Sequence, residues 1–273
     1  MNNYDYDSFI NMSFDGDKSK MKEVALDVFF DKYDIKDKYN SIEEYEKMKS
    51  NIVGLMAKCT TNGSLYKYRS GQDYDIENIK NDKLTLNDPN NFNDPFEFLI
   101  IYNELEELLD LDSWNDILSE LPKRMKSQWR VGCLADTNKN HLMWSHYANN
   151  HEGFCLEYDL YDLFEMKELL LPVKYEERIS KGSINSGISM EFMFRKSNVW
   201  EYEGEWRIVK QAQDDISYMN IDVPKVKAIY MGCKINNELK DTLIEICKFR
   251  KIKLFESKIC LNKYDIIFKE ILL

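Results

Sequence analysis

The sequence predicts an α+β fold with a mixed, largely antiparallel sheet. Short stretches in which apolar and polar residues alternate, typical of strands, are interspersed with stretches of helical periodicity. These strands and helices do not alternate regularly, as they would in a doubly wound parallel sheet. The chain has 273 residues, of which 44% are hydrophobic, so it is long enough and apolar enough to enclose a core.

The N-terminal part predicts a helical appendage over residues 1–62, followed by a core domain over residues 63–273. After an acidic start, apolar residues recur at helical spacing from Lys18, and a second helix begins at Ser41. Glu44 lies three residues after Ser41, which is the spacing of a capping box. In that motif the hydroxyl and the carboxylate each satisfy a free backbone N–H. The residues from Thr61 to Ser64 then interrupt the helical pattern.

The core domain begins with an alternating strand over residues 65–69 and continues as a series of short elements. Further strands are predicted over residues 83–86, 130–135, 153–158, 173–176, 226–231, 252–260 and 266–272, with another beginning at Glu205. Helices are predicted over residues 76–80, 105–128, 140–148, 190–194 and 236–249. The stretch over residues 87–97 contains two Asp-Pro pairs and four asparagines, which predicts a structured turn.

Composition excludes several classes of protein. A net charge of −11 argues against general binding of duplex nucleic acid, which needs a basic face. No apolar run approaches the length of a membrane span, and the N-terminus lacks the apolar segment of a signal peptide. The six cysteines are scattered without a Cys-x-x-Cys pair, so neither a zinc site nor a disulfide scaffold is indicated. We therefore expect a soluble, cytoplasmic protein that holds no metal.

All three histidines lie in one segment, at positions 141, 146 and 151. On a helix, residues at this spacing are separated by about 140°, so the histidines do not share a face. Metal-ligand pairs on a helix are roughly three or four residues apart, and a three-histidine metal site is therefore not expected. Two interpretations remain. The histidines are exposed or hydrogen-bonded loop residues, or one of them, His146 beside Tyr147, lines a pocket.

A run of carboxylates, Glu201, Glu203 and Glu205, forms a second candidate group. In a strand, Glu203 and Glu205 would point to the same face, with Gly204 between them. Two like charges side by side raise the free energy unless a partner uses them. One interpretation is a charged edge in solvent. The aromatic residues within residues 200–206 favour a concave, partly desolvated site, where a carboxylate accepts hydrogen bonds from a ligand or stabilises a developing cation.

Arg69 ends the first strand, directly after Tyr68. An arginine at a strand end can bind a phosphate or a carboxylate through two parallel hydrogen bonds. It could equally be an exposed charge or the structural partner of Asp94 or Glu97. The turn that contains these two acids predicts an architectural role, in which Asn and Asp side chains cap backbone N–H groups and Phe96 anchors the turn in the core.

Four segments of the core domain together resemble a bacterial family catalogued as domain of unknown function 2971. The segments occur in the same order as in that family, and the resemblance covers residues 64–260. They are residues 65–69, 91–97, 143–157 and 203–208. The family carries no established activity, so this resemblance alone implies no reaction.

The layout of these segments is also similar, more remotely, to that of the ADP-ribosyltransferases, including those that modify DNA in toxin systems. The common order is a short first strand ending in a basic residue, an aromatic-rich segment before a strand, and a Glu-x-Glu before a late strand. In that superfamily the basic residue holds the ribose and phosphate side of NAD. A central Ser or Tyr and aromatic residues flank the nicotinamide, and a late glutamate stabilises the oxocarbenium-like transition state.

The resemblance to the ADP-ribosyltransferases assigns roles to matching positions of this chain. It implies that Arg69 and Tyr68 contact NAD from the first strand, although that strand also offers Lys67. It implies that Glu205 is the catalytic glutamate, preceded by Glu203. The central wall of the site would consist of Trp144, Ser145, His146 and Tyr147. The fold implied is the α+β fold of that superfamily.

The leading hypothesis is an enzyme that cleaves the N-glycosidic bond of NAD, a small-molecule nucleotide, and transfers ADP-ribose to an unidentified acceptor macromolecule. Such an enzyme could act as a toxin or phage-defence effector. The alternative is a non-catalytic ligand-binding or interaction module with an aromatic pocket. A third hypothesis is a metal-dependent nuclease or hydrolase that uses Asp94, Glu97 and a histidine. The leading hypothesis requires Arg69, residues 145–147 and Glu205 to converge on one cleft.

Overall fold

The computed structural model describes most of the predicted core domain. The described residues are 62–99, 101–102, 126–166, 168–179, 181–182, 190–212 and 216–273, together with Leu26 and Gly54. The predicted appendage over residues 1–62 lies almost wholly outside them, as does most of the predicted helix over residues 105–128.

Short strands and a few helices make up the described residues and confirm the α+β class. The strands are β1 (Ser64–Arg69), β2 (Lys83–Asn87), β3 (Ile101–Tyr102), β4 (Trp129–Ala135), β5 (Phe154–Asp159), β6 (Leu169–Pro172), β7 (Lys174–Glu176), β8 (Lys181–Gly182), β9 (Arg195–Ser197), β10 (Glu205–Gln211), β11 (Tyr218–Asp222), β12 (Ala228–Met231), β13 (Lys253–Ile259) and β14 (Ile266–Ile271). The α-helices are α1 (Asp73–Lys80), α2 (His141–Tyr147), α3 (Leu160–Phe164) and α4 (Asn237–Arg250). Short 3-10 turns occur at Pro89–Asn91, Met190–Phe194 and Asn198–Glu203. Within the described residues, no helix is long and apolar enough to cross a membrane.

Ten of these strands form one mixed, mostly antiparallel sheet. Its main path runs in the order β11-β2-β4-β1-β5-β12-β13-β14, while β10 pairs with both β4 and β6. The neighbours β12 and β13 are parallel, and α4 provides the crossover connection that parallel neighbours need. The other pairs along the path are antiparallel.

Apolar side chains cover both faces of the sheet. On one face, Leu65, Leu134 and Trp206 belong to a large cluster that also contains residues of α1 and α4. On the other face, Tyr68 of β1 packs against Trp144 of α2, with ring centroids 5.3 Å apart and the rings edge-on. Successive residues of β1 therefore point to opposite faces, as the alternation in the sequence predicts.

Pairing along the two edges of β4 is unequal. One edge pairs with β10 at all seven positions from Trp129 to Ala135. The other edge pairs with β1 at Ala135 and with β2 at Val131. Between these two positions the neighbouring strands separate from β4, and the sheet has an opening.

The turn after β2 contains the predicted side-chain cap, but its apolar anchor differs from the prediction. Asp94 accepts a hydrogen bond from the Phe96 N–H at 2.9 Å. The prediction that Phe96 anchors the turn in the core is wrong, because that side chain is 62% exposed. Phe98 is the buried residue, and its ring packs edge-on against Phe92. The capped turn places residue 96 on the outer side of the chain.

Neither α3 nor β11 was predicted, because neither has a clear hydrophobic pattern. In β11 only Ile221 is buried, so the strand lacks the run of alternating apolar residues by which strands are recognised. In α3 the two buried residues, Leu160 and Leu163, span less than one helical turn.

Gly153 allows the end of β1 to approach the start of β5. A Cβ atom built on Gly153 would lie 2.0 Å from the Arg69 carbonyl oxygen and 3.1 Å from that of Ala148. Both atoms belong to the backbone, so only a movement of the chain would make room for a side chain.

We expect Gly153→Ala to lower the free energy of unfolding by about 1–3 kcal/mol, the range typical of overpacked sites. Urea unfolding followed by tryptophan fluorescence measures the change. Gly54→Ala is the matched control, because no atom of the described residues lies within 4 Å of a Cβ built there. Alanine in place of a helical glycine adds about 0.5–1 kcal/mol of stability. A Gly153→Ala variant as stable as the wild type would contradict the close approach.

Candidate functional site

A cavity of about 470 Å³ lies at the opening beside β4. This volume is within the range of roughly 300–1,000 Å³ that small-molecule pockets occupy. The lining comes from β1 and the loop after it, the turn after β2, the edge of β4, α2, and the segment over residues 196–205. Parts of the chain that are distant in sequence therefore meet at one place.

Six of the eight site residues predicted from the sequence line this cavity: Tyr68, Arg69, His146, Tyr147, Glu203 and Glu205. Arg69, His146, Tyr147 and Glu205 therefore meet at one cleft, whereas Ser145, which the leading hypothesis also requires there, does not line it. His146 lies beside Tyr147 in the lining, as the second interpretation of the histidines requires.

Trp144 and Ser145 depart from the prediction, since neither lines the cavity. Trp144 is fully buried, and its Nε1–H donates to the Asn138 carbonyl at 2.7 Å. The Ser145 hydroxyl donates to the His141 carbonyl at 3.0 Å, and its Oγ lies 3.1 Å from His151 Nε2. Trp144 therefore anchors α2 in the core, and Ser145 bonds within its own segment.

Glu203 and Glu205 both contact Lys196, but they do not share the face of a strand as alternate residues. Residues 198–203 form a 3-10 turn, so the extended conformation assumed in the face argument is wrong there, and β10 begins at Glu205. Gly204 has a φ of 51°, in the left-handed region that favours glycine. This turn directs both carboxylates to Lys196, whose Nζ lies 2.5 Å from Glu203 Oε2 and 3.1 Å from Glu205 Oε2.

Lys196 and Arg207 join three carboxylates in a buried charge cluster, which consists of Glu97, Lys196, Glu203, Glu205 and Arg207. Lys196 Nζ also lies 3.2 Å from Glu97 Oε1. Arg207 is fully buried, and its Nε–H donates to Glu205 Oε1 at 2.8 Å. Its Nη2 donates to both oxygens of Glu97 at 2.8 Å. Three carboxylates against two cations leave a formal charge of 2 − 3 = −1.

Sequence reasoning did not include Lys196 and Arg207 among the site residues. A signal existed for Arg207, which follows Glu205 by two positions in a strand and therefore shares its face. The flanking residues Trp206 and Ile208 are apolar, so an arginine between them needs a buried partner. No sequence pattern pointed to Lys196.

The environment of the charge cluster shifts the pKa values of Glu203 and Glu205 in opposite directions. Burial disfavours the charged form of Glu205, but the Arg207 guanidinium and the Lys196 ammonium outweigh it and hold the pKa of Glu205 well below its usual range. Burial raises the pKa of Glu203, and the Glu205 carboxylate adds to this increase against the opposing effect of Lys196. Such a pair suits one carboxyl for fixed negative charge and the other for proton transfer.

Tyr147 orients Glu203 from the opposite side of Lys196. Its hydroxyl donates to Glu203 Oε1 at 2.6 Å, while Lys196 donates to Oε2. Burial and the Glu203 carboxylate raise the pKa of Tyr147 well above the usual value of a tyrosine, so the phenol keeps its proton and remains a donor. A carboxylate has roughly four acceptor positions, so Glu203 retains capacity for a hydrogen bond from a ligand.

One end of the Arg69 guanidinium contacts the buried carboxylate of Asp75. Its Nε lies 3.2 Å from Asp75 Oδ1, and the two side chains are 10% and 0% exposed. Asp75 Oδ2 in turn accepts hydrogen bonds from two backbone N–H groups of the loop after β1, each at 3.1 Å. The structural partner of Arg69 is thus Asp75 rather than Asp94 or Glu97. Among the described residues, Arg69 Nη2 has no hydrogen-bond partner.

Lys67 reaches across the opening between β1 and β4. Its Nζ donates to the Cys133 carbonyl at 2.6 Å, on the edge of β4 between the two paired positions. No carboxylate of the described residues forms an ion pair with it. Burial lowers the pKa of Lys67 to about 8, and the positive charge of Arg69 contributes to the decrease.

The ligands of the metal-dependent hypothesis are engaged elsewhere. Asp94 caps the backbone at Phe96, and Glu97 accepts from Arg207 and Lys196. Within the described part of the chain, no group of three or more His, Cys, Asp or Glu side chains could hold a metal ion.

Comparison with known proteins supports the resemblance to a family of unknown function. The family described as Protein of unknown function (DUF2971) matches residues 143–208. This span contains β5, nearly all of α2, and the segment that carries Lys196, Glu203 and Glu205. No curated protein and no solved structure matches the chain.

We expect Lys196→Met to lower the free energy of unfolding by about 3–5 kcal/mol at pH 7, because it leaves buried carboxylates without their cation. The loss should shrink at mildly acidic pH. The pKa of Glu203 is already raised, so in the variant this carboxyl takes up a proton in the folded state before it does so in the unfolded state. Urea unfolding at pH 7 and at lower pH measures both effects.

The control for Lys196→Met is Lys80→Met, which removes a lysine from an exposed pair with Glu77. Exposed pairs contribute about 0–1 kcal/mol, so this variant should unfold almost as the wild type does. Equal stabilities of the two variants would show that the charge cluster does not stabilise the fold.

We also expect the pH dependence of stability to change in Lys67→Met. Burial holds the pKa of Lys67 at about 8 in the folded chain, against 10.5 for a free lysine. The unfolded chain therefore binds more protons between these values, and Lys67 disfavours folding below pH 8, an effect relieved as the pH rises. Relative to Lys67→Met, the wild type should gain at most about 3 kcal/mol over this window.

Urea unfolding of both proteins at pH 7 and pH 10.5 measures that gain. Subtracting the free energy of unfolding of Lys67→Met from that of the wild type at each pH cancels the contribution of other titrating groups. Lys80→Met, measured in the same way, reports the background. A constant difference between wild type and Lys67→Met across the window would contradict the lowered pKa.

Proposed function

We propose that the chain is an ADP-ribosyltransferase-like enzyme that cleaves the N-glycosidic bond of NAD. The observation that carries the proposal is the convergence of Arg69, Tyr147, Glu203 and Glu205 on one cavity of about 470 Å³. The wall formed by β1 contributes the cations Lys67 and Arg69, and residues 203–205 contribute two carboxylates beside Lys196. That polarity suits a ligand that has a diphosphate at one end and a carbon that becomes positive at the other.

The reaction breaks the bond between C1′ of the ribose and the nicotinamide nitrogen. The bonding electron pair leaves with the nicotinamide, which departs as a neutral molecule, and positive charge builds on the ribose. A carboxylate that is already fixed in its charged form stabilises this charge without reorganisation. Glu205 has this property because Arg207 and Lys196 keep its pKa well below the usual range.

Glu203 would act on the incoming acceptor. The acceptor's lone pair forms the new bond to C1′, and the acceptor then loses a proton. A carboxyl whose pKa is raised by burial is suited to receive that proton. Tyr147 keeps Glu203 in position through the hydrogen bond at 2.6 Å. With water as the acceptor the products are nicotinamide and ADP-ribose, and with a macromolecule the product is its ADP-ribosylated form.

For the role in the cell, we propose a toxin or phage-defence effector that consumes NAD or modifies an acceptor. The support for this role is the resemblance to transferases of toxin systems. Expression of the wild type would then slow growth and lower cellular NAD, and a variant without activity would do neither.

A non-catalytic ligand-binding module is the alternative, and one observation favours it. Glu205 already accepts hydrogen bonds from Arg207 and lies within ion-pair distance of Lys196, as a purely structural carboxylate would. In that case the cavity binds a ligand and leaves it intact.

We expect purified wild-type protein to release nicotinamide from NAD, with Glu205→Gln slower by at least about 100-fold, the effect typical of losing one charge-stabilising group. Chromatography of the products measures the release, in buffer and with nucleic acid or cell lysate added as acceptor. Glu203→Gln should chiefly slow transfer to the acceptor.

Glu201→Gln is the matched control, because it alters an exposed carboxylate two residues before Glu203 that does not line the cavity. Tyr147→Phe provides a second variant that leaves the charge cluster whole, and it should reduce activity while unfolding near the wild type. If the wild type releases no nicotinamide under any condition, or if Glu205→Gln is as active as Glu201→Gln, the transferase proposal fails.

A further inference from the structure

We propose that Lys67 is a covalent attachment site for small aldehydes and ketones, which its amine binds as an imine inside the cavity. Imine formation at this position does not depend on the proposed cleavage of NAD. Two lysines, Lys67 and Lys196, line the cavity, and their surroundings give them opposite chemistry.

Lys196 is held as an ammonium by the charge cluster. Its Nζ lies within 3.2 Å of Glu97, Glu203 and Glu205, and only 5% of its side chain is exposed. Burial favours the neutral form of Lys196, but the three carboxylates outweigh it and raise the pKa above its usual value. An ammonium has no lone pair, so Lys196 does not attack a carbonyl carbon.

Lys67 has the opposite surroundings. Its side chain is half-buried in the cavity wall and forms no ion pair with a carboxylate of the described residues. Its charged neighbour on β1 is Arg69, and two like charges side by side disfavour the ammonium. Burial lowers the pKa of Lys67 to about 8, and Arg69 adds to the decrease. A desolvated lysine beside another cation is the arrangement that makes an amine nucleophilic near neutral pH.

Three other titratable groups face Lys67 from neighbouring elements, and none of them forms an ion pair with it. Asp75 of α1 and Glu205 of β10 favour the ammonium, but each is already paired with an arginine. The Cys133 thiol of β4 is protonated, because burial raises its pKa above the usual value. It therefore neither stabilises the ammonium nor competes with Lys67 as a nucleophile.

The hydrogen bond from Lys67 to the Cys133 carbonyl, at 2.6 Å, holds the amine at the opening between β1 and β4. A neutral amine has two N–H groups and one lone pair. The carbonyl accepts from one N–H, which leaves the lone pair and the second N–H for a ligand. A cavity of about 470 Å³ is large enough for a small carbonyl compound beside them.

The reaction balances without a cofactor or an oxidant. The amine lone pair forms a bond to the carbonyl carbon, and the π electrons of the carbonyl move to its oxygen. Both amine protons then leave with that oxygen as water, and a carbon–nitrogen double bond replaces the carbonyl. Water hydrolyses the imine by the reverse steps, so the attachment is reversible.

Reductive trapping tests the site. The full chain is incubated with propionaldehyde and sodium cyanoborohydride, which reduces an imine to a stable secondary amine, and peptide mass spectrometry measures the modification of each lysine. At pH 8 we expect Lys67 to react at least about tenfold faster than the exposed Lys80. The reason is that about half of Lys67, but less than about 1% of an ordinary lysine, is then the free amine.

The pH profile and the size of the aldehyde provide two further measurements. The rate at Lys67 should rise up to about pH 8 and level off above it, whereas the rate at Lys80 should still rise at about pH 10. A dextran that carries aldehyde groups is too large for the cavity, so it should modify Lys80 and spare Lys67. In urea, which unfolds the chain, the two lysines should react alike.

Lys67→Arg is the matched variant, because it keeps a cation in the cavity wall and removes the amine. It should lose the fast-reacting position and leave the modification of Lys80 unchanged. Modification of Lys67 at the rate of Lys80 in the folded wild type overturns the attachment site, as does a pH profile of Lys67 that follows that of Lys80. A preference for Lys67 that persists in urea also overturns it, because the folded cavity would then play no part.

The release of nicotinamide from NAD is measured separately. Fast trapping at Lys67 without release of nicotinamide supports the attachment site and overturns the transferase proposal. Release of nicotinamide without preferential trapping at Lys67 does the reverse.

Discussion

The buried charge cluster is the interaction on which both the fold around the cavity and its chemistry depend. Removing an ion from water costs several kcal/mol, and only close pairing with full hydrogen bonding offsets the cost. Arg207 pairs with Glu97 and Glu205, and Lys196 reaches all three carboxylates. Glu97 comes from the turn after β2, Lys196 from β9 and Glu203 from a 3-10 turn. The cluster therefore holds three other segments of the chain against β10, and the same contacts set the charge of the candidate site.

The opening in the sheet explains why the cavity is polar. Where β1 and β2 separate from β4, backbone groups on the edge of β4 lose their strand partners, and a buried group without a partner is unfavourable. Lys67 donates a hydrogen bond to the Cys133 carbonyl and so provides a partner for one of these groups. A residue that completes the backbone bonding of the sheet is thus also a cation in the cavity. Because the site residues lie on or beside paired strands, the scaffold holds them in place more firmly than a mobile loop would.

Much of the fold and part of the site could be predicted because they depend on local patterns. Alternation placed β1, β4, β5 and β10, and the run from His146 to Tyr147 and the Glu-x-Glu marked two walls of the cavity. Glu203 and Glu205 were expected to be neighbours, but the structure brings them together through the left-handed turn at Gly204 rather than through a shared strand face. Lys196 could not have been found, because its role depends on a 3-10 turn that brings Glu203 and Glu205 back to it and on Glu97 from the turn after β2. Trp144 shows the opposite error, since an aromatic residue in a functional-looking segment serves the core.

The contrast between Glu203 and Glu205 shows how environment assigns different roles to one type of side chain. Lys196 contacts both, and it lies closer to Glu203, whose pKa is nevertheless raised. The lysine alone therefore cannot explain the difference. Arg207 can, because it donates two hydrogen bonds to Glu205 and contacts Glu203 through none among the described residues. Arg207 thus decides which carboxyl stays charged. A fixed anion at Glu205 would stabilise a cationic transition state in an enzyme and orient a polar ligand in a binding module, so this assignment holds for either function.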